Sequence, residues 1–208
     1  MSNISNTTNN TNTHIMNYAT RSELINEDCY HLRKDSMNLF DAVKFGNFII
    51  AKHLINEWIK KNYSLETPDD EDPSRSRGPE YNETVLYIAS REGHLDIVKC
   101  LLENGADPNT LAITNYDQYT SPLMMAAFGG HLEVVKCLIE AGANEENPLL
   151  TEAVVNMAVT NGHLDIIKYI FEDTEIRFHG RKGYPQSPIN IAVRNGYLDI
   201  LEYLLQLN

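Results

Sequence analysis

The chain has 208 residues and a hydrophobic fraction of 42%, enough to bury a sizeable core in one elongated array or a little more than one globular domain. Seventeen basic residues against 29 acidic ones give a net charge of −12, which argues against the concentrated positive face that phosphate binding needs, so no nucleic-acid partner is expected. The same imbalance leaves two readings open: a charge that keeps the protein soluble, or a field that draws in a basic protein surface.

In chain order, residues 1–17 are rich in Asn, Thr and Ser, with Ile4, Ile15 and Met16 as the large apolar side chains. Such a stretch cannot bury enough surface to offset its ordering entropy, and it reads as a disordered tail. It is polar rather than basic then apolar, unlike a secretory leader. No apolar run in the chain reaches the roughly 18 residues of a membrane span. A cytoplasmic protein with no membrane partner is therefore expected. Residues 18–36 suggest an N-terminal capping helix.

From residue 37 onward the chain repeats itself. Ala89–Leu102, Ala126–Ile139, Ala158–Phe171 and Ala192–Leu205 align without gaps on Gly93, Gly130, Gly162 and Gly196. A degenerate unit, residues 37–55, precedes them and aligns on Gly46. The glycines lie 47, 37, 32 and 34 residues apart, a period of about 33 with insertions after the first and second units. Each glycine suits the left-handed residue that ends a short helix. Apolar residues follow at fixed offsets, in the third unit Leu132, Val134, Val135, Leu138 and Ile139, and they form the buried stripe of a second helix. Asp96 with Lys99, Glu133 with Lys136 and Asp165 with Lys168 are spaced to pair on its outer face. Gly105 and Gly142 close that helix in two units, whereas the fourth has Thr174 there, followed by the basic stretch from Arg177 to Lys182. No unit can bury its stripe alone, so stability must come from stacking.

The insertion at 56–80 opens as a helical extension through Trp58, a residue expected to pack locally. It then enters a run with five acids between Glu66 and Asp72. Proline and like charge favour an extended solvated loop there, either a tolerated insertion or a docking element for a basic partner.

Thr84–Ala89, Ser121–Ala126 and Ser187–Ala192 resemble the Thr-Pro-Leu-His-x-Ala opening of ankyrin repeats, and Asn104–Asn109 and Ala141–Asn144 resemble their Gly-Ala-Asp-x-Asn lead-in. The resemblance covers about residues 37–208. It implies an all-α repeat solenoid of about five helix-turn-helix units with hairpin fingers, clear from about residue 81. Tyr87, Met124, Asn156 and Asn190 replace the family's opening histidine, so the usual turn-bridging bonds should be altered. Asn82, Tyr119, Thr151 and Pro185 replace its turn glycine, so the fingers should be irregular. The excess between Leu111 and Tyr119 suggests one longer finger carrying Tyr116 and Tyr119.

Candidate chemistry is thin. His94, His131 and His163 each precede an acid by two residues, but they recur one repeat apart, too far to share an ion, and are expected to support the turn between helices. No Walker-type phosphate loop and no supported nucleophile occur. Cys29 near His31 is a pairing in sequence only. Cys29, Cys100 and Cys137 are odd in number and lack ligand spacing, which suits reduced thiols, with Cys100 and Cys137 at one repeat position as small apolar side chains. Asn109 resembles the hairpin asparagines that hydroxylases modify in this family, although Pro108 departs from the pattern; a turn asparagine is the simpler reading. No catalysis, metal or cofactor is expected.

The resemblance implies a non-enzymatic scaffold that binds a protein through a concave groove and hairpin tips. Carried over by position, the contacts fall on Glu80, Tyr81, Glu83, Arg91 and Glu92 in the first clear unit. They continue on Asp117, Gln118, Thr120 and Phe128, then Thr160 and Asn161, and finally Tyr184, Gln186, Arg194 and Asn195. The alternative is a regulatory or host-directed effector, placed in a host cytosol, that acts through its tail or acidic insertion with the array as spacer. A monomer is expected unless the C-terminal face, which ends on a helix without a polar cap, self-associates.

Overall fold

The computed structural model describes residues 38–66, 83–113, 119–143, 148–172 and 187–207, all within the compact unit Met37–Asn208. The tail, the capping segment and most of the acidic insertion lie outside the described residues, as do Cys29, Tyr116, Thr174 and the basic stretch near Arg177.

Each repeat forms a helix pair. The pairs are α1 (Leu39–Lys44) with α2 (Phe48–Lys60), α3 (Val85–Glu92) with α4 (Leu95–Glu103), α5 (Pro122–Gly129) with α6 (Leu132–Glu140), α7 (Pro148–Thr160) with α8 (Leu164–Glu172), and α9 (Pro188–Asn195) with α10 (Leu198–Gln206). First helices pack on first helices, α1 on α3, α3 on α5, α5 on α7 and α7 on α9, while α2, α4, α6 and α8 form the second row. This is an all-α repeat solenoid, with five helix-turn-helix units among the described residues. One finger adds strand pairing: β1 (Ala112–Ile113) runs antiparallel to β2 (Tyr119–Thr120), with Ala112 opposite Thr120 and Ile113 opposite Tyr119. It sits where the excess between Leu111 and Tyr119 predicted the longer finger.

Local chemistry sets the helix ends. Thr84, Ser121 and Ser187 cap α3, α5 and α9, each hydroxyl accepting from the backbone N–H three residues on, at 3.2, 3.2 and 3.4 Å. Pro122 and Pro188 stand in the first turn, where no N–H is missed. Each first helix ends on its aligned glycine at positive φ, and the next residue's N–H bonds back to an alanine carbonyl: His94 to Ala89, His131 to Ala126, His163 to Ala158 and Tyr197 to Ala192. Those alanines are fully buried, as is Ala42 in the first unit. Side chains larger than methyl would separate the helices they join.

The stripe of the second helices is buried as expected. Val134, Val135 and Leu138 form its core, with Leu132 and Ile139 half-buried at its edges. Helix α5 is apolar on nearly every side because α3 and α7 flank it on both faces. Of the three outer-face pairs, Glu133–Lys136 closes at 2.7 Å, whereas Lys168 sits over the Tyr203 ring of the next unit at 5.8 Å. Asp165 caps the N–H of Ile166, and Asp96 and Lys99 stay more than 4.0 Å apart.

Two expectations need correction. Thr151 was expected in an irregular finger but lies inside α7, which has 13 residues against eight in α3, α5 and α9. The helix starts at Pro148, whose missing N–H costs nothing at the first helical position. Glu66 was expected in a solvated loop, yet its carboxylate accepts from the backbone N–H of Asp107 at 2.9 Å, and Leu65 beside it is buried. The insertion is tied down at its first acid. Trp58 packs edge-on against Phe40 and Tyr63, centroids 5.8 and 5.7 Å away, in the local role expected of it.

Candidate functional site

The surface is best read from the contact that joins one unit to the next. The residue after each turn glycine is a ring in four units: His94, His131, His163 and Tyr197. Each reaches back to the preceding unit. His94 Nε2 lies 3.3 Å from the carbonyl of Lys44, His131 Nε2 2.9 Å from that of Arg91, and His163 Nε2 3.1 Å from that of Phe128. The Tyr197 hydroxyl donates to the carbonyl of Thr160 at 3.5 Å. Each ring lies against the glycine of that preceding unit, filling the space a Cβ would need at Gly46, Gly93 and Gly130 and crowding it at Gly162. The histidines were expected to support the turn between helices; the turn each one braces is that of the preceding unit, which ties neighbouring units together.

This contact uses backbone and leaves side chains to solvent. Lys44, Arg91, Phe128, Thr160 and Arg194 share one register, two residues before the glycine, and differ in chemistry from unit to unit. Their carbonyls from Lys44 to Thr160 are taken by the next unit, while the side chains of Phe128, Thr160 and Arg194 remain exposed. A constant backbone row thus carries a variable side-chain row.

Arg91 is the most organised member. Its guanidinium Nη1 pairs with Glu83 Oε1 at 2.6 Å, its Nε pairs with Glu92 at 3.0 Å, and it lies 5.7 Å over the Tyr87 ring. Burial alone would lower the Arg91 pKa, but the carboxylates of Glu83 and Glu92 outweigh it and raise it, so the charge is held firmly. Tyr87, standing where the family pattern has histidine, accepts from the Thr120 hydroxyl at 3.4 Å, a bond from one unit to the next. Burial pushes the Tyr87 phenol pKa up, opposed by that bond. The altered turn bridge expected at this position therefore takes a definite form.

Several residues carried over as contacts fare differently. Thr120 is buried, its hydroxyl turned to Tyr87, and it offers no side chain to a partner. The polar end of β2 packs into the finger's base, and Tyr119 beside it takes the exposed place. Asn161 and Asn195 are exposed, but their amides donate to the carbonyls of Phe128 and Thr160 at 2.6 and 3.0 Å, so both serve stacking. Thr160 bonds within its own helix, to the carbonyl of Asn156. Glu83, Arg91 and Glu92 come together as one cluster. Glu80, Tyr81, Asp117, Gln118, Tyr184 and Gln186 lie outside the described residues. Phe45, exposed in the register of Glu92, and Lys44 in that of Arg91 were missed because the first unit is degenerate; the alignment on Gly46 carries the signal.

Asn109 donates from its side-chain amide to the carbonyl of Gly142 at 3.1 Å, and its N–H is capped by Asp107 at 2.9 Å, the geometry of a turn asparagine that also bridges units. Cys100 is buried and Cys137 half-buried; burial pushes both thiol pKa values up, so both favour the protonated form. Among the described residues, no group of three or more His, Cys, Asp or Glu is placed to hold a metal ion, and no helix is long and apolar enough to cross a membrane.

A family model described as ankyrin repeats in three copies matches residues 3–112, 39–148 and 123–208. The chain belongs to the ankyrin-repeat family. The first of these matches begins well ahead of residue 37, where the aligned repeat units start. No curated protein matches the chain. Ankyrin arrays are generally protein–protein interaction modules and typically lack catalytic activity. The glycine register, the stacked first helices and the ring-to-carbonyl contacts are the physical content of that membership here.

Proposed function

We propose that this ankyrin array is a non-enzymatic scaffold that binds a protein partner in the groove beside its first helices and at its hairpin tips, in the cytoplasm. The observation that carries the reading is the division of labour in the row from Lys44 to Arg194. Stacking is satisfied through carbonyls, so the side chains can vary in chemistry without disturbing the fold. Loops and exposed rows on a rigid scaffold are where recognition concentrates. Tyr119 and Phe128 are exposed aromatics in two neighbouring elements, the residue type that dominates binding hot spots. The net charge of −12 favours a basic partner surface, mainly through the rate of encounter.

The test is capture from native cytosol by the intact chain and by a variant carrying Tyr119→Ala, Phe128→Ala and Arg194→Ala. Proteins held by the intact chain and lost from the variant support the groove. Proteins held equally by both move the function to the tail or the acidic insertion.

A further inference from the structure

The first two steps of the carbonyl row lack a bond that the last two make. The Phe128 carbonyl takes two donors, His163 Nε2 at 3.1 Å and the Asn161 amide at 2.6 Å. The Thr160 carbonyl also takes two, from the Tyr197 hydroxyl and the Asn195 amide. Both asparagines stand immediately before their turn glycines. In that register the second and third units have Glu92 and Gly129, and neither side chain has an N–H to give. Gly129 has no room for one: an added Cβ would meet His131 Nε2 at 2.5 Å. The Arg91 carbonyl lies 3.1 Å from that Cβ, and among the described residues it keeps only the bond from His131 at 2.9 Å. A carbonyl oxygen has two lone pairs, so one is left for an outside donor.

The surroundings of this carbonyl set the donor it suits. Glu92 follows Arg91 in the chain and Phe128 precedes Gly129, so two exposed side chains flank it. Glu92 Oε1 accepts from Arg91 Nε, and Glu83 accepts from Arg91 Nη1. Two carboxylates around one guanidinium leave one negative charge over, so the cluster attracts a second cation. The Phe128 ring stands exposed on the other side. We propose that this step between α3 and α5 takes an arginine side chain of the protein partner. Its N–H groups donate to the Arg91 carbonyl and the Glu92 carboxylate, and its plane lies on the Phe128 ring. A guanidinium supplies several donors in one plane, carries the balancing charge and stacks on aromatic rings, whereas a lysine ammonium lacks the planar fork. The Lys44 carbonyl also has a single donor, His94 at 3.3 Å, but there the Lys44 side chain opposes a cation.

This inference rests on the reading of the groove as a protein-binding surface and names one contact within it. The probe is a random linear peptide library displayed on phage and selected on the full chain, with the commonest sequence then synthesised and titrated by calorimetry. The selected peptides should share an arginine. Replacing it by citrulline, which keeps the plane and loses the charge, should weaken binding about tenfold, and replacing it by lysine about threefold. In the full chain, Glu92→Gln should weaken binding about fivefold and Phe128→Leu about threefold, with the circular dichroism spectrum unchanged because both side chains are exposed. Glu133→Gln, on the exposed face of α6, should leave binding unchanged. Arginine peptides that bind Glu92→Gln and Phe128→Leu as tightly as the intact chain overturn the proposal. Equal weakening by Glu133→Gln would reduce the attraction to net charge and overturn it as well. Peptides without a shared arginine that are lost on Phe128→Ala overturn it while leaving the groove as the binding surface. Selection of no binder also overturns it, and the capture from cytosol then judges the groove by itself.

Discussion

Replacing Gly93 with alanine tests whether rings lock one repeat to the next. Two effects are separable in this structure. Gly93 has φ +76°, and Gly105, with φ +88°, has open space where a Cβ would go. An alanine at Gly105 therefore carries only the left-handed backbone cost, roughly 1–2 kcal/mol. An alanine at Gly93 carries the same cost and also displaces the His131 ring that fills its Cβ position. Displacement forfeits the 2.9 Å contact with the Arg91 carbonyl, worth about 0.5–1.5 kcal/mol net, and with it the packing of a half-buried ring. Gly93→Ala should thus cost about 1–2 kcal/mol more than Gly105→Ala. His131→Ala removes the same ring, so the double variant Gly93→Ala with His131→Ala should be more stable than additivity predicts by about 1–2 kcal/mol. Urea denaturation gives the four values, followed by circular dichroism across the array and by fluorescence of the single tryptophan, Trp58, in the first unit. Coincident curves license two-state values, which a repeat array does not guarantee. Additivity within roughly 0.5 kcal/mol, or equal costs at Gly93 and Gly105, would refute the ring-on-glycine contact as a source of stability.

Further outcomes follow from the same structure. Ala126→Leu forces a larger side chain into a fully buried helix junction and should destabilise by about 1–3 kcal/mol, read as a lower urea midpoint with an unchanged m-value. Ser121→Ala removes the cap on α5 and should cost about 0.5–2 kcal/mol, measured the same way. In a Cys29→Ser background, Cys100 and Cys137 should alkylate more slowly with iodoacetamide at pH 8 than the same thiols in urea, because burial raises both thiol pKa values. The sign for stability follows: the folded chain holds these protons more tightly, so their contribution is full below the ordinary thiol range and falls as pH rises through it.

Much of this was legible from periodicity. The aligned glycines, the buried alanines four residues before them and the Thr or Ser caps are local features, set by backbone sterics within a single unit, and the sequence displays them directly. The role of His131 was not legible in the same way. Its partner, the Arg91 carbonyl, lies 40 residues away, and no pattern inside one unit says which turn a ring will brace. Thr120 failed as a contact for a related reason: position in a finger indicates exposure, but Tyr87 in place of histidine offers a buried hydroxyl that turns Thr120 inward. Asn161 and Asn195 stand at the surface, yet their amides are spent on neighbouring carbonyls. The long start of α7 takes Thr151 into a helix because Pro148 can open a helix as readily as a turn. Exposure could be inferred from register; competition for hydrogen bonds between units could not.

The central claim, that a protein partner seats beside the first helices, is tested most directly by site-specific photo-crosslinking in native cytosol. A photoreactive side chain replaces Phe128 in the exposed row, and in a matched variant it replaces Lys99, exposed on the second helix α4. The account predicts discrete protein adducts from position 128 and none from position 99. Adducts from position 99 alone, or the same adducts from both, would contradict it.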